Sequence, residues 1–262
     1  MTQASGGDGM GQRVLITAGA SGIGRAMAAG FEAAGARVWV ADADEAALAA
    51  CPGSWQRDRL DVSDEAAVAA LFTRLRAAWG GLDVLCANAG IAGPTAALED
   101  VALGDWERCI AVNLTGAFLF ARAAVKLMKA QRSGVVILTS STAGLYGYPN
   151  RAPYCAAKWA VNGLMKTIAM EAGPFGVRAN TICPGAVEGP RMEAVLAREA
   201  AVKGATRDAI YAGYAGGTSM RTFVMAEDVA AMAVFLASDA ARLVSGQIIA
   251  VDGHTENPDP KV

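Results

Sequence analysis

The sequence predicts a single α/β domain, a doubly wound parallel sheet with helices on both faces. Two observations carry this. Apolar, β-branched segments alternate with alanine-rich helical stretches along the 262 residues, the pattern of βαβ units. Near the start, Arg13-Val14-Leu15-Ile16-Thr17 runs into the glycine-rich Ala18-Gly19-Ala20-Ser21-Gly22-Ile23-Gly24 and then a helical segment from Arg25. With 53% hydrophobic and only 18% charged residues, much of the chain must be buried, as two covered sheet faces require.

The elements follow in order. The first strand reads as a buried parallel strand. Gly22 and Gly24 let the backbone approach a pyrophosphate and let the next helix pack close to the strand. That helix offers unpaired N–H groups to phosphates at its N-terminus. A second strand, Arg37 to Ala41, ends at Asp42, where an acid can accept hydrogen bonds from an adenosine ribose. After a short helix come a strand from Trp55 to Asp61 and a helix from Asp64 to Trp79. Leu82 to Ala87 is the fourth strand, followed by the loop Asn88-Ala89-Gly90. A long helix spans roughly Gly104 to Ala130, and Val135 to Thr139 is the fifth strand. The helix through Tyr154 continues to about Gly173. Val177 to Ile182 and Gln247 to Val251 are the sixth and seventh strands. The section from Gly185 to Met225 is less regular, and a substrate lid is expected near 186–225. No repeat or linker divides the chain. One domain over 12–253 is expected, with 1–11 a disordered polar lead and 254–262 a tail.

Composition excludes other classes. The net charge of −2 argues against nucleic acid as a partner. No apolar run approaches the about 20 residues of a membrane helix, so no membrane partner is expected. The lead lacks the apolar core of a signal peptide. Five dispersed cysteines without a Cys-x-x-Cys pair point to reduced thiols and a cytoplasmic protein. With His254 the one histidine, a histidine-based metal cluster and a Ser-His triad centred elsewhere are excluded, and no metal site is expected.

Tyr154-Cys155-Ala156-Ala157-Lys158 carries the chemistry. Side chains at i and i+4 share a helix face, which places an ammonium beside a phenol. A nearby cation favours the phenolate, and a tyrosine that ionises near neutral pH is a usable general acid/base.

With these landmarks the chain resembles the compact branch of the short-chain dehydrogenase/reductase family. The likeness covers Gly11 to Gly253 and its motifs recur in order: the glycine turn, Asp61-Val62, Asn88-Ala89-Gly90, Asn113, Ser141, Tyr154 with Lys158, and Pro184-Gly185. It implies a Rossmann fold with strand order 3-2-1-4-5-6-7. By this resemblance Tyr154 exchanges a proton with the substrate oxygen, and Lys158 lowers its pKa and binds the nicotinamide ribose. Ser141, with Ser140 as the alternative, holds the substrate oxygen. Asn113 holds a water connecting Lys158 to solvent, or stabilises a helix kink. Asp61 and Val62 reach the adenine, and Asn88 and Gly90 shape the floor. Gly19, Ser21, Gly22, Ile23 and Gly24 with Pro184, Gly185 and Val187 complete the cofactor site.

Three departures stand out. The first turn glycine is Ala18, which suggests that this position does not require φ > 0. Ala87 replaces an amide residue, and Gly189 stands where relatives often carry a threonine. Asp42, followed by Ala43, Asp44 and Glu45 without a cation, accepts from a ribose diol but repels a 2′-phosphate, predicting NAD(H) over NADP(H). The expected substrate is a small polar secondary alcohol or its ketone, a sugar derivative or hydroxy acid. Arg151 and Arg191 border the pocket, either as a clamp for an anion or as solvated rim residues. A reductase of 3-oxoacyl thioesters and a non-catalytic nucleotide sensor are the alternatives. The resemblance also implies a homotetramer packed through the helices of Asn113 and Tyr154. Ala156, Ala157, Ala160 and Gly163 permit close approach there, though internal packing on the sheet explains them equally well, and the tail from Asp252 to Glu256 would lie across a neighbour.

Overall fold

The computed structural model describes residues 11–258. The expected lead, apart from Gly11, and tail residues 259–262 lie outside the described residues. In chain order the elements are β1 (Arg13–Thr17), α1 (Gly22–Ala33), β2 (Arg37–Asp42), α2 (Glu45–Ala49), β3 (Gln56–Arg59), α3 (Glu65–Trp79), β4 (Val84–Ala87) and α4 (Leu103–Ile110). Then come α5 (Gly116–Gln131), β5 (Gly134–Thr139), α6 (Ala152–Ala172), β6 (Val177–Pro184), α7 (Pro190–Lys203), α8 (Arg207–Gly216), α9 (Ala226–Ala237) and β7 (Ile248–Val251).

The sheet is parallel throughout, in the order β3-β2-β1-β4-β5-β6-β7. This is the order that the resemblance implied. The chain switches direction of build between β1 and β4, which opens a crevice at the carboxyl ends of these strands. Central strands are buried on both faces because each face carries its own apolar layer. Leu71 and Leu75 of α3, Phe120 and Met128 of α5, and Val161 and Met165 of α6 cover one face. Met27 and Phe31 of α1 with Val229, Ala233 and Leu236 of α9 cover the other. The edge strand β3, with its polar Gln56-Arg57-Asp58-Arg59, is largely exposed.

Local chemistry ends the helices where the sequence indicates. Asp44 accepts from the Ala47 N–H to cap α2, and Asp64 from the Ala67 N–H to cap α3. Gly80, at φ 71°, terminates α3 in the left-handed conformation.

Three expectations are corrected. The long helix over Gly104 to Ala130 is not uniform: α4 and α5 are joined by a π turn over Ala111–Thr115. That stretch, Leu103–Gln131, is also long and apolar enough by length and composition to cross a membrane. It passes because its alanine- and leucine-rich faces pack on the sheet and on α6. The section after Gly185 is not irregular but holds α7 and α8. Pro190 starts α7, Gly204 at φ 64° ends it, and the Thr206 hydroxyl caps α8 by accepting from the Ala209 N–H. Helix α9 follows. The tail through 257 hydrogen-bonds to its own chain: Ser219 N–H donates to the His254 carbonyl and Glu256 N–H to the Gly217 carbonyl. Backbone groups at 217–220 thus find their partners within the chain.

Candidate active site

The glycine turn lies at the carboxyl end of β1. Ser21 stands at the N-cap of α1 without a side-chain cap, which leaves the first N–H groups of the helix open to an anion. Gly22 lines the cleft at φ 50°, and a Cβ there would meet nothing within 4 Å. Gly24 faces inward instead: a Cβ would overlap the Ala18 carbonyl and approach the Asn88 amide. Close packing of α1 on β1 therefore requires glycine. Gly19 is closed off by Val40, whose Cγ1 would lie 2.6 Å from an added Cβ. Ala18 overturns its expectation: it adopts φ 49°, so the turn imposes the left-handed conformation even on a residue with a Cβ.

Asp42 leans toward this turn from the end of β2, its carboxylate accepting from the Ala20 N–H at 3.1 Å and from the Asp44 N–H at 3.1 Å. Opposite, Asn88 N–H and Ala89 N–H both donate to the Thr17 hydroxyl at 2.9 Å, and the Asn88 amide donates to the Thr17 carbonyl. One amide is enough to tie this loop to β1, so Ala87 sits buried in β4 without consequence. An uncapped helix start, a bare glycine surface and a terminal carboxylate fit a dinucleotide with a ribose diol.

The reacting cluster stands beside it. Tyr154 and Lys158 share one face of α6, as their spacing predicts, and the Lys158 ammonium lies 5.7 Å from the Tyr154 ring centroid. Lys158 is 2% exposed and donates to the Thr139 carbonyl at 2.8 Å. Burial opposes ionisation of the Tyr154 phenol, but Lys158, Arg191, a Ser141 hydrogen bond and Arg151 together hold its pKa below the usual value. Burial likewise lowers the Lys158 pKa, against the attraction of Tyr154.

Both serines border the cleft, and the partners of their hydroxyls tell them apart. Ser140 is buried and its hydroxyl donates to the Lys158 carbonyl at 2.9 Å. Ser141 lines the cleft, with its hydroxyl oxygen accepting from the Ala143 N–H. Ser141 is the one placed to hold a ligand oxygen.

Asn113 occupies the π turn. Its amide nitrogen donates to the carbonyls of Ile91 and Cys109 at 3.0 and 2.9 Å, which fixes the orientation of the side chain. Its buried Oδ1 has no partner among the described residues. A Cβ on Gly90 would lie 2.5 Å from that oxygen and 3.3 Å from the Lys158 ammonium. Gly90 thus leaves the space in which Asn113 and Lys158 approach one another.

The cleft encloses about 310 Å³ and brings together Ser21, Gly22, Ile23, Asn88, Gly90, Ser141, Tyr154, Lys158, Pro184, Gly185 and Val187. Arg151 and Arg191 line it as well. Gly19, Gly24, Asp42 and Asn113 support it from behind. Asp61 and Val62 lie apart from it: Ser63 and then Arg108 engage the Asp61 carboxylate and hold its pKa down, while Val62 packs against Gly116. The solvated-rim reading fails for Arg151, which is 7% exposed, and holds in part for the exposed Arg191. Gly189 has φ 135° and ψ 176°, a conformation nearly confined to glycine; the missing threonine is thereby built into the backbone.

Sequence reading passed over Thr17, Tyr148 and Tyr214. The polar Thr17 at the end of an apolar strand was a signal for the first. Tyr148, whose phenol burial pushes up to about 12, and Tyr214 enter the cleft only through the fold of the loop before α6 and of α8.

A family profile described as enoyl-(acyl carrier protein) reductase matches residues 17–254. The cis-4-hydroxycyclohexanecarboxylate dehydrogenase of Sinomonas cyclohexanicum is 38% identical over 254 residues, covering 94% of this chain and 98% of its own. The D-threitol dehydrogenase of Mycolicibacterium smegmatis is 33% identical and covers 93% of this chain and 92% of its own. Among solved structures, an NAD⁺-bound xylitol dehydrogenase superposes with a TM-score of 0.89 at 26% identity, covering 93% of this chain and 99% of that one.

Proposed function

Since the chain belongs to the short-chain dehydrogenase/reductase family, we propose that it interconverts a small polar secondary alcohol and its ketone with NAD(H). Oxidoreduction at a hydroxyl group with a nicotinamide cofactor is common ground with its relatives; the choice of NAD and the residue roles are inferred from the site. The observation that carries this reading is the convergence of Tyr154, Lys158 and Ser141 on one wall of the cleft that the glycine turn opens.

When bound, the nicotinamide supplies the hydride acceptor or donor at its ring. In the oxidative direction, Ser141 holds the alcohol oxygen and Tyr154, as phenolate, accepts the hydroxyl proton. Lys158 keeps the phenolate favoured and stands ready to bind the ribose hydroxyls. Asn113 Oδ1, oriented by its two carbonyl partners, accepts from the water or ammonium that passes the proton onward. The protein's contribution is position and electrostatics.

Asp42 supports NAD over NADP, since its carboxylate stands where a 2′-phosphate would bring like charge. Asp42→Ala is expected to cut the preference for NAD⁺ over NADP⁺ in kcat/KM by about 10-fold or more, the scale of losing hydrogen bonds to a charged group. An unchanged preference contradicts the assignment. A reductase of acyl thioesters is the second reading, favoured by the description of the matching profile. Faster turnover of a 3-oxoacyl thioester with NADPH than of any small alcohol with NAD⁺ would select it.

Five unpaired cysteines support a reducing, cytoplasmic setting. Exposed apolar side chains on α5 and α6, Phe118, Trp159 and Met170, support the homotetramer.

A further inference from the structure

The cleft holds a cation that does not itself exchange the proton. Arg151 is 7% exposed, yet no ion pair among the described residues holds it. One nitrogen, Nη2, donates to the Ala92 carbonyl at 3.2 Å, and its buried Nε has no hydrogen-bond partner. Its guanidinium lies 5.0 Å from the Tyr154 ring centroid, and that of Arg191 lies 6.0 Å from the same ring. Among the described residues Arg191 donates to one carbonyl, that of Gly90, at 3.1 Å. Glu188 accepts from the Tyr211 hydroxyl, and Glu199 accepts from the Tyr214 hydroxyl through one oxygen while its buried Oε2 has no partner; neither forms an ion pair with Arg151 among the described residues. A desolvated guanidinium with one carbonyl partner and a tyrosine ring beside it is costly, and a bound anion offsets that cost.

We propose that Arg151, with Arg191 as a second arm, forms a carboxylate subsite, so that the substrate is a hydroxy acid or its keto acid. This rests on the dehydrogenase reading above and names the substrate class of that site. The geometry suits the chemistry. A guanidinium fork matches the two oxygens of a carboxylate. Arg151 precedes Tyr154 by one helical turn on the same wall, so carboxylate and reacting oxygen belong to one short molecule. Arg191 sits at the start of α7, so a second element brings a guanidinium to the same ring.

The test uses matched pairs that differ only in charge: lactate beside lactamide, and 4-hydroxycyclohexanecarboxylate beside its carboxamide. Each is assayed for NAD⁺ reduction with the wild type, Arg151→Gln, Arg151→Lys and Arg191→Gln. In the wild type at least one acid is expected to exceed its amide in kcat/KM by about 30-fold or more, the scale of a charge-assisted bidentate contact. Arg151→Gln should bring that ratio to within about threefold of unity, while Arg151→Lys retains part of it. Arg191→Gln should lower it less, with the NADH Kd unchanged in both glutamine variants. The ratio cancels any effect of Arg151 on the acidity of Tyr154, and the wild-type ratio needs no variant to fold. Amides turned over as well as acids in every pair, or an Arg151→Gln loss equal for acid and amide, would overturn the subsite and leave the dehydrogenase standing. Absence of NAD⁺ reduction with all four compounds and with cyclohexanol would remove both.

Discussion

Ala18 shows how a turn can hold a residue against its own preference. At φ 49° an L-residue carries a cost of roughly 1–2 kcal/mol. Glycine removes that cost but gives the unfolded chain more freedom, an offset of about 0.4–1 kcal/mol. Ala18→Gly is therefore expected to raise Tm by about 1–4 °C, read by calorimetry, with coenzyme affinity unchanged. A lower Tm would mean that the Ala18 methyl contributes more than its backbone costs. The glycine turn itself was legible in the sequence, because strand, turn and helix follow one another locally. The sign of φ at Ala18 was not, since the close contact of Gly24 with the Ala18 carbonyl sets it. The pairing of Tyr154 with Lys158 was legible for the same local reason: one helical turn fixes it. The burial of Arg151 was not, because loop and lid residues distant in sequence cover it.

Helices α7 and α8 carry their own small apolar cluster, Leu196, Ala200, Ile210 and Phe223, separate from the two layers on the sheet. The sequence hid these helices for a physical reason. Glu199, 5% exposed, interrupts the apolar stripe of α7; one of its oxygens accepts from the Tyr214 hydroxyl of α8, and its buried Oε2 has no partner among the described residues. A polar residue at a core position reads as a solvated one until its partner is known. The π turn was hidden likewise, since the extra residue that turns Asn113 inward leaves no mark on composition. Because the lid's cluster is its own, Leu196→Ala should loosen the lid by about 2–5 kcal/mol while sparing the sheet. Hydrogen exchange is expected to quicken over 190–216 and stay slow in β1, β4 and β5, with a raised substrate KM. Equal quickening in the sheet would show that the lid is part of the main core.

The assembled protein has two apolar layers that close the sheet and a third apolar surface that the chain alone leaves open. Trp159 is 53% and Met170 80% exposed on α6, and a Cβ on Gly163 between them would meet nothing within 4 Å. Gly163 thus takes no part in internal packing, while Ala157 is fully buried against the chain's own core. Exposed apolar surface of this kind suits a symmetric contact with another copy. Trp159→Asp is expected to reduce the mass seen by light scattering from tetramer to a smaller species, and an unchanged mass would place the interface elsewhere. The chemistry has a more direct test, kcat/KM for alcohol oxidation against pH in the wild type and Tyr154→Phe. The phenolate is the active form. The wild-type rate should therefore rise with pH through an apparent pKa below the free phenol's value of about 10 and level off above it. Tyr154→Phe should lose that limb and about 10²-fold or more in rate while still binding NADH. Near-normal turnover in the variant, or the same pH limb with the phenol gone, would contradict the account.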